Sequence, residues 1–387
     1  MSQPVFKHYD LKLTEPSFGS TLTDLIIELD YLRNKPLKGT THPKVFFQLK
    51  QIFHTLESIG SARIEGNNTT IAEYIETKVH QIKKVPPGIK EIQNIERAME
   101  FAEANANEHP IDRAFLSEIH KIIVEGLQPP PDGEGDATPG QYRKNNLKIN
   151  KSTHKPPDWL KVEDYMAELI TFINKSDSPK YDLLKAAIAH HRFVWIHPFS
   201  NGNGRTVRLL TYAMLVKAGF NVNIGRIINP SAVFCSNRND YYYHLSKADK
   251  GSESGILAWV EYVLKGLKEE IEKIDKLLNY DFLKKEILIP ALNYSRDRTF
   301  ITDLEQKILK TTVEKQVIQA ADIKNFFSGK ADAQISRQIK KLLERKMLLS
   351  EKENSRKYII RFDNNYLLRG IIHSLGEKGF LPVQDEV

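Results

Sequence analysis

Apolar residues recur three and four positions apart through most of this chain. From Pro43 onward, Val45, Phe46, Leu49, Ile52, Phe53 and Leu56 line one face of an amphipathic helix. Pro43 stands near its first turn, where a missing N–H costs nothing. Similar stripes predict helices around 71–79, 89–106 and 111–125. The run Pro129-Pro130-Pro131-Asp132-Gly133-Glu134-Gly135 must then be a loop. In the segment from Asn145 to Asn150, Leu147 and Ile149 alternate with polar neighbours, which predicts a short strand or hairpin closed by Pro156 and Pro157. Helices resume from Asp158 or Val162, over 181–195, and at about 203–218, 239–247 and 255–278. The first 40 residues, with Pro4, Pro16 and Pro36, read as irregular.

From Leu304 the pattern changes scale. A short helix over 304–309 is followed by one beginning near Ala320 and another from Ala333 through Ile335, Ile339, Leu342 and Leu343. Met347-Leu348-Leu349 and Tyr358-Ile359-Ile360 flank a charged turn, as the two strands of a hairpin would. Three small helices and a basic hairpin spell a winged helix-turn-helix.

Charge adds to this picture. The chain of 387 residues carries a net charge of +7, and the stretch from Lys330 to Arg361 holds ten basic residues against four acidic ones. A nucleic-acid-facing surface would leave that footprint, and so would a solvated helix face. Hydrophobic residues make up 41% and charged residues 27%, the balance of a globular protein rather than a disordered one. No apolar run approaches the roughly 18 residues of a membrane span. The N-terminus lacks the basic and apolar regions of a secretory signal, and the single Cys235 cannot form an internal disulfide or a structural zinc site. The expectation is a cytoplasmic protein with no membrane partner.

One segment stands apart: His197-Pro198-Phe199-Ser200-Asn201-Gly202-Asn203-Gly204-Arg205-Thr206-Val207-Arg208. It joins two predicted helices, the second starting at Asn203 or Gly204. Its glycines let the backbone turn and approach a ligand closely. The N–H groups beyond them point out of a helix N-terminus, where the dipole favours an anion. Arg205 and Arg208, three apart, share a helix face and add planar donors for phosphate oxygens. Pro198 and Phe199 hold His197 at the lip of the loop, a natural place for a general base acting on a hydroxyl. There is no G-x-x-x-x-G-K-[ST] loop and no strand-linked G-x-G-x-x-G.

The segment resembles the signature of Fic-domain proteins, H-P-F-x-x-G-N-G-R-x-x-R, at every fixed position. Gly140-Gln141-Tyr142-Arg143 looks like the family's stretch before its substrate-docking flap. Asp240-Tyr241-Tyr242-Tyr243-His244-Leu245 and the helix after it look like the closing helices. The likeness covers roughly residues 44 to 275. It implies a mainly α fold, with a helical core and a small β-hairpin flap, to which the winged helix is appended. The domains would be 1–110, 111–280 and 300–387.

The resemblance also implies transfer of AMP from ATP to a Ser, Thr or Tyr hydroxyl of a target protein. His197 would be the catalytic base. Gly202, Asn203, Gly204, Arg205, Thr206 and Arg208 would hold the phosphates, with the two arginines on the β and γ groups, and Tyr242 would lie against the adenine side. Mg²⁺ would bridge the phosphates. This chain has Asn201 where the family usually has an acidic metal ligand, so a neutral amide would hold the ion more weakly.

Upstream, Ser61-Ala62-Arg63-Ile64-Glu65-Gly66-Asn67 is similar to the family's inhibitory pattern, [ST]-x-x-x-E-[GN]. Ser61 and Glu65 share a helix face, and Gly66 suits the C-terminal cap. In the family such a glutamate pairs with the second arginine, here Arg208, and keeps ATP from its productive pose. A self-inhibited adenylyltransferase is the leading expectation. Two others remain open: a DNA-binding regulator whose core senses nucleotide, and removal of AMP with Glu65 positioning water. The tail suits DNA binding, dimerisation or target docking equally, and a homodimer fits both classes of module.

Overall fold

Apolar stripes mark most of the helices, and a side-chain cap opens only some of them. The computed structural model describes residues 6–35, 39–80, 84–149, 152–220, 227–327 and 332–382. Pro4, Pro36, Asn150 and Lys330 lie outside them. The helices are α1 (Thr21–Asn34), α2 (Pro43–Glu65), α3 (Ile71–His80), α4 (Pro87–Asn105), α5 (Arg113–Val124), α6 (Val162–Asn174), α7 (Asp182–Ile196) and α8 (Asn203–Lys217). Then follow α9 (Pro230–Ser236), α10 (Arg238–Ala248), α11 (Glu253–Asp275), α12 (Tyr280–Phe282), α13 (Ile289–Asp297), α14 (Asp303–Lys315), α15 (Asp332–Glu344) and α16 (Leu367–Glu377). The single sheet among the described residues pairs β1 (Leu348–Ser350) with β2 (Tyr358–Ile360), antiparallel, with Leu349 opposite Ile359.

The chain divides into two compact units. The first comprises Met1–Pro36, Glu57–Thr69 and Val85–Ile271; the second comprises Leu37–Leu56, Thr70–Lys84 and Glu272–Val387. In the first unit α7 packs along α8 and α6, and α4 packs on α5 and α8. Trp195, Trp259, Phe193 and Phe199 are fully buried there. Local chemistry sets the helix starts: the Asp112 carboxylate accepts from Phe115 N at 2.9 Å at the head of α5.

In the second unit α13 packs on α16, and α14 lies against β2. A full capping box opens α14, with Thr302 and Glu305 each bonded to the other's backbone. α14, a 3₁₀ helix at Ala320–Phe327, α15, β1 and β2 follow one another in that order. Gln48 donates to Ile360 O at 3.1 Å and accepts from Phe362 N at 2.8 Å, fastening the return of β2.

Two expectations need correction. The first 40 residues are not irregular throughout, because α1 forms over Thr21–Asn34, capped by Ser20 and burying Leu22, Leu29 and Leu32. The prolines around it mask that stripe in the sequence. The strand expected around Leu147 and Ile149 does not form: the described residues 141–149 and 152–158 contain no strand. Pro156 and Pro157 leave the returning arm without two donors, so a ladder has little to pair with. Helical structure also fills 280–297, where a π-helix (Leu283–Leu288) stands between α12 and α13, ahead of Pro290. A missing N–H at Pro290 and a widened turn belong together.

Candidate active site

The loop between α7 and α8 is built by side chains that bond to its own backbone. α7 ends at His197, whose φ of 53° puts it in the left-handed region, and Gly202, with φ 72°, precedes α8 in the same region. Between these two reversals Asn203 acts as a clamp: its Oδ1 accepts from Phe199 N at 2.9 Å and its Nδ2 donates to Phe199 O at 2.8 Å. Phe199 is fully buried and stacked on His120, with centroids 3.8 Å apart. Thr206 caps inward, donating to Gly202 O at 2.9 Å. The first turn of α8 has N–H groups with no intrahelical acceptor, which suit an anion.

His197 is oriented by its backbone neighbours. Its Nδ1 lies 3.2 Å from Val194 O, so Nδ1 carries the proton and Nε2 keeps the lone pair. Burial, together with the nearby Arg143 charge, pushes its pKa down to about 4, against the opposing pull of the Val194 bond and of Glu65. Arg143 holds the turn from below, donating from Nε to His197 O at 2.9 Å and from Nη2 to Pro157 O at 2.7 Å.

The two arginines of the motif are differently engaged. Arg208 donates from Nε to Ser61 Oγ at 2.8 Å, and from Nη2 to Ser61 O at 2.9 Å and Glu65 Oε1 at 2.7 Å. Its Nη1 is buried without a hydrogen-bond partner among the described residues. Burial pushes the Glu65 carboxyl up, but the charges of Arg208 and Arg205 and the Arg208 bond outweigh it and hold the carboxyl below its ordinary range. Glu65 approaches so closely over Gly204 that any Cβ there would collide with its carboxylate. Arg205 is fully buried and points elsewhere, donating to Glu91 Oε1 at 2.8 Å and to Glu134 O at 2.7 Å.

Asn201 is held on three sides. Its N–H donates to Asp136 Oδ2 at 3.0 Å, its Nδ2 to Gly135 O at 3.0 Å, and its carbonyl lies 3.1 Å from His120 Nε2. His120 accepts from Gly140 N at Nδ1, so its Nε2 is the donor to Asn201. Burial lowers the His120 pKa, which keeps that tautomer neutral. Tyr242, on α10, is 45% exposed and its hydroxyl accepts from Arg238. Its neighbour Tyr241 is buried, bonded to His190 at 2.9 Å.

Residues 110–215 match the model of the Fic/DOC family. That stretch, which holds His197 and its loop, is similar to a Fic domain. Its sequence is 28% identical over 206 residues to a protein adenylyltransferase Fic of Nematostella vectensis, covering 52% of this chain and 44% of that protein. It is 30% identical over 207 residues to a protein of the same name from Culex quinquefasciatus, covering 52% and 37%. The chain thus spans less than half the length of these relatives. Its fold is similar to that of a Fic family protein from Desulfovibrio desulfuricans, with a TM-score of 0.55 at 18% identity over 93% of this chain and 98% of that one.

The structure brings His197, the loop 202–208, Ser61 and Glu65 together, with Asn201 on the flank. It leaves Tyr242 on an exposed helix face. Sequence reading missed the supports of the loop: His120, Asp136, Glu134 and Glu91. Each is a single polar residue far away in sequence, and only the buried position of His120 and Glu91 on otherwise apolar helix faces could have flagged two of them.

Proposed function

We propose that this Fic domain transfers AMP from ATP to a Ser, Thr or Tyr hydroxyl of a target protein and is held off by its own Glu65. The observation that carries this reading is the pairing of Glu65 with Arg208, directly over Gly204 at the anion-binding helix start. A nucleotide's phosphates fit that helix start, where N–H groups and the dipole meet negative charge. The target hydroxyl oxygen attacks the α-phosphorus, the bond from that phosphorus to the bridging oxygen breaks, and pyrophosphate leaves. The hydroxyl proton passes to the free lone pair of His197 Nε2. Arg208, once released, offers its guanidinium to the terminal phosphate, and the buried Arg205 supports the loop from behind.

Mg²⁺ fits as an ion carried in on the nucleotide. Asn201 would supply one neutral amide oxygen, and no cluster of three His, Cys, Asp or Glu stands ready for a metal among the described residues. When bound, the ion neutralises phosphate charge.

Glu65 competes with the terminal phosphate for Arg208, so ATP binds with its α-phosphorus out of line. Misplacement of about 1 Å can cost on the order of a hundredfold in rate. Radiolabelled ATP mixed with a lysate tests the reading. The Glu65→Gly chain should label protein far more strongly than wild type, and the Glu65→Gly, His197→Ala double variant should be silent. Equal labelling by wild type and Glu65→Gly would remove the inhibitory role.

A second reading concerns the second unit. The α14–α15–β1–β2 order, with Arg337 and Lys340 exposed on α15, supports a winged helix that meets duplex DNA.

A further inference from the structure

Both oxygens of one buried carboxylate are taken by groups of different purpose. Glu91, on α4, is 2% exposed. Its Oε1 accepts from Arg205 at 2.8 Å, and its Oε2 accepts from Asn67 Nδ2 at 2.7 Å. Asn67 lies two residues beyond Glu65 in the turn that ends the inhibitory helix. The same amide nitrogen donates to Gly88 O at 2.8 Å, and its Oδ1 accepts from Thr69 N at 2.8 Å, so the turn is fastened to α4 by this one side chain.

From Arg205 the chain of contacts continues to the anion loop. Its Nη2 donates to Glu134 O at 2.7 Å and approaches Glu134 Oε2 at 3.3 Å. Asn201 Nδ2 then meets Gly135 O at 3.0 Å and Glu134 Oε2 at 3.4 Å. The guanidinium compensates the charge of this buried carboxylate and cannot be removed without leaving it unpaired, whereas the Asn67 amide is a neutral and weaker donor. Burial accordingly pushes the Glu91 carboxyl up, opposed by Arg205 and by the Asn67 bond.

We propose that Glu91 is a positioning residue that holds Arg205 against the Glu134–Asn201 side of the anion loop, and that Asn67 draws on the same carboxylate. The inhibitory segment then grips both arginines of the motif, Arg208 through Glu65 and Arg205 through Asn67 and Glu91. This rests on the transfer reading for its activity arm only. Release of inhibition has to break the Asn67–Glu91 contact, while activity has to keep the Glu91–Arg205 contact. The two partners of one carboxylate therefore have opposite consequences.

The experiment places Asn67→Ala and Glu91→Gln in the full chain, each with Glu65 intact and with Glu65→Gly. It reads AMP transfer and hydrogen exchange of the amides of 61–67. Asn67→Ala should raise transfer several-fold and speed that exchange when Glu65 is intact, yet change transfer by less than about twofold in the Glu65→Gly chain. Glu91→Gln in the Glu65→Gly chain should lower kcat by about tenfold with a much smaller change in KM for ATP, because α8 and Arg208 still hold the nucleotide. Equal activation by Asn67→Ala in both backgrounds, or an unchanged kcat in Glu91→Gln, would overturn the proposal. If Glu91→Gln fails to fold, the Asn67→Ala arm decides alone. If no variant labels protein, Glu65→Gly included, the transfer reading falls. Unchanged exchange of 61–67 in Asn67→Ala then overturns the Asn67 contact independently.

Discussion

The imidazole of His197 owes its readiness to three neighbours rather than to its own chemistry. Val194 O fixes the tautomer, the left-handed turn aims the ring, and burial beside Arg143 keeps it neutral. The base proposed here has to be unprotonated to act, and with a pKa near 4 rather than the ordinary 6.5 the His197 ring is unprotonated throughout the neutral range. In the Glu65→Gly chain, kcat/KM for ATP should therefore stay flat from about pH 7.5 down to about pH 5.5, since that ratio reports the free enzyme. A fall centred near pH 6.5 would mean that an ordinary, solvated histidine is acting. The same scale explains Asn203 and Arg205, two fixed residues of the motif whose side chains serve the loop's architecture in this structure.

At the scale of elements, the last turns of α2 form a single polar face. Glu57, Ser61 and Glu65 recur every four residues, and each meets a backbone or side-chain group of the first unit. Glu57 is buried, accepts from Ser231 N at 2.7 Å, and leaves its Oε2 without a hydrogen-bond partner among the described residues. Burial raises its pKa from 4.5 to about 7 despite the Ser231 bond and the Arg208 charge. The folded state thus holds this proton more tightly than the unfolded chain does. Its stability contribution is complete below about pH 4.5 and is lost as pH rises through about 7. Glu57→Gln keeps the acceptor for Ser231 and removes the titration. It should gain on the order of 2–3 kcal/mol over wild type at pH 8 and much less at pH 5, read as the shift in urea midpoint. Equal effects at both pH values would show that Glu57 does not titrate in this range.

Across the whole molecule, folding redistributes the charge counted along the chain. Of the basic residues in 330–361, Lys341 and Arg345 turn to Glu305 at 3.2 and 2.6 Å, and Arg361 turns to Asp363 at 2.9 Å. The Glu305 side chain is fully buried, so two of those charges answer an internal need. Arg337 and Lys340 stay exposed on the face of α15 opposite Ile335, Ile339 and Leu342. Duplex DNA titrated with the full chain should give a log–log salt slope that Arg337→Gln with Lys340→Gln reduces by about two, one for each phosphate no longer neutralised. Lys341→Gln should leave that slope nearly unchanged. A slope abolished by Lys341→Gln alone would place the DNA-facing surface elsewhere.

What the chain declares on its own are the features carried by local order. Periodic apolar stripes locate most helices to within a few residues, because a helix face is written at three- and four-residue spacing. The loop His197–Arg208 and the pattern from Ser61 to Asn67 are legible for the same reason: their residues are contiguous and their chemistry is dense. The supports are not. Glu91, His120, Glu134 and Asp136 act on residues 65 to 114 positions away along the chain, and beyond the apolar faces that carry Glu91 and His120 nothing local says what they bind. Tertiary packing alone decides that Arg205 faces inward while Arg208 faces Glu65, although both lie on one stretch of helix three residues apart. The reason is physical: a buried guanidinium goes to whichever carboxylate the fold buries beside it, and that choice is made by the neighbouring helices.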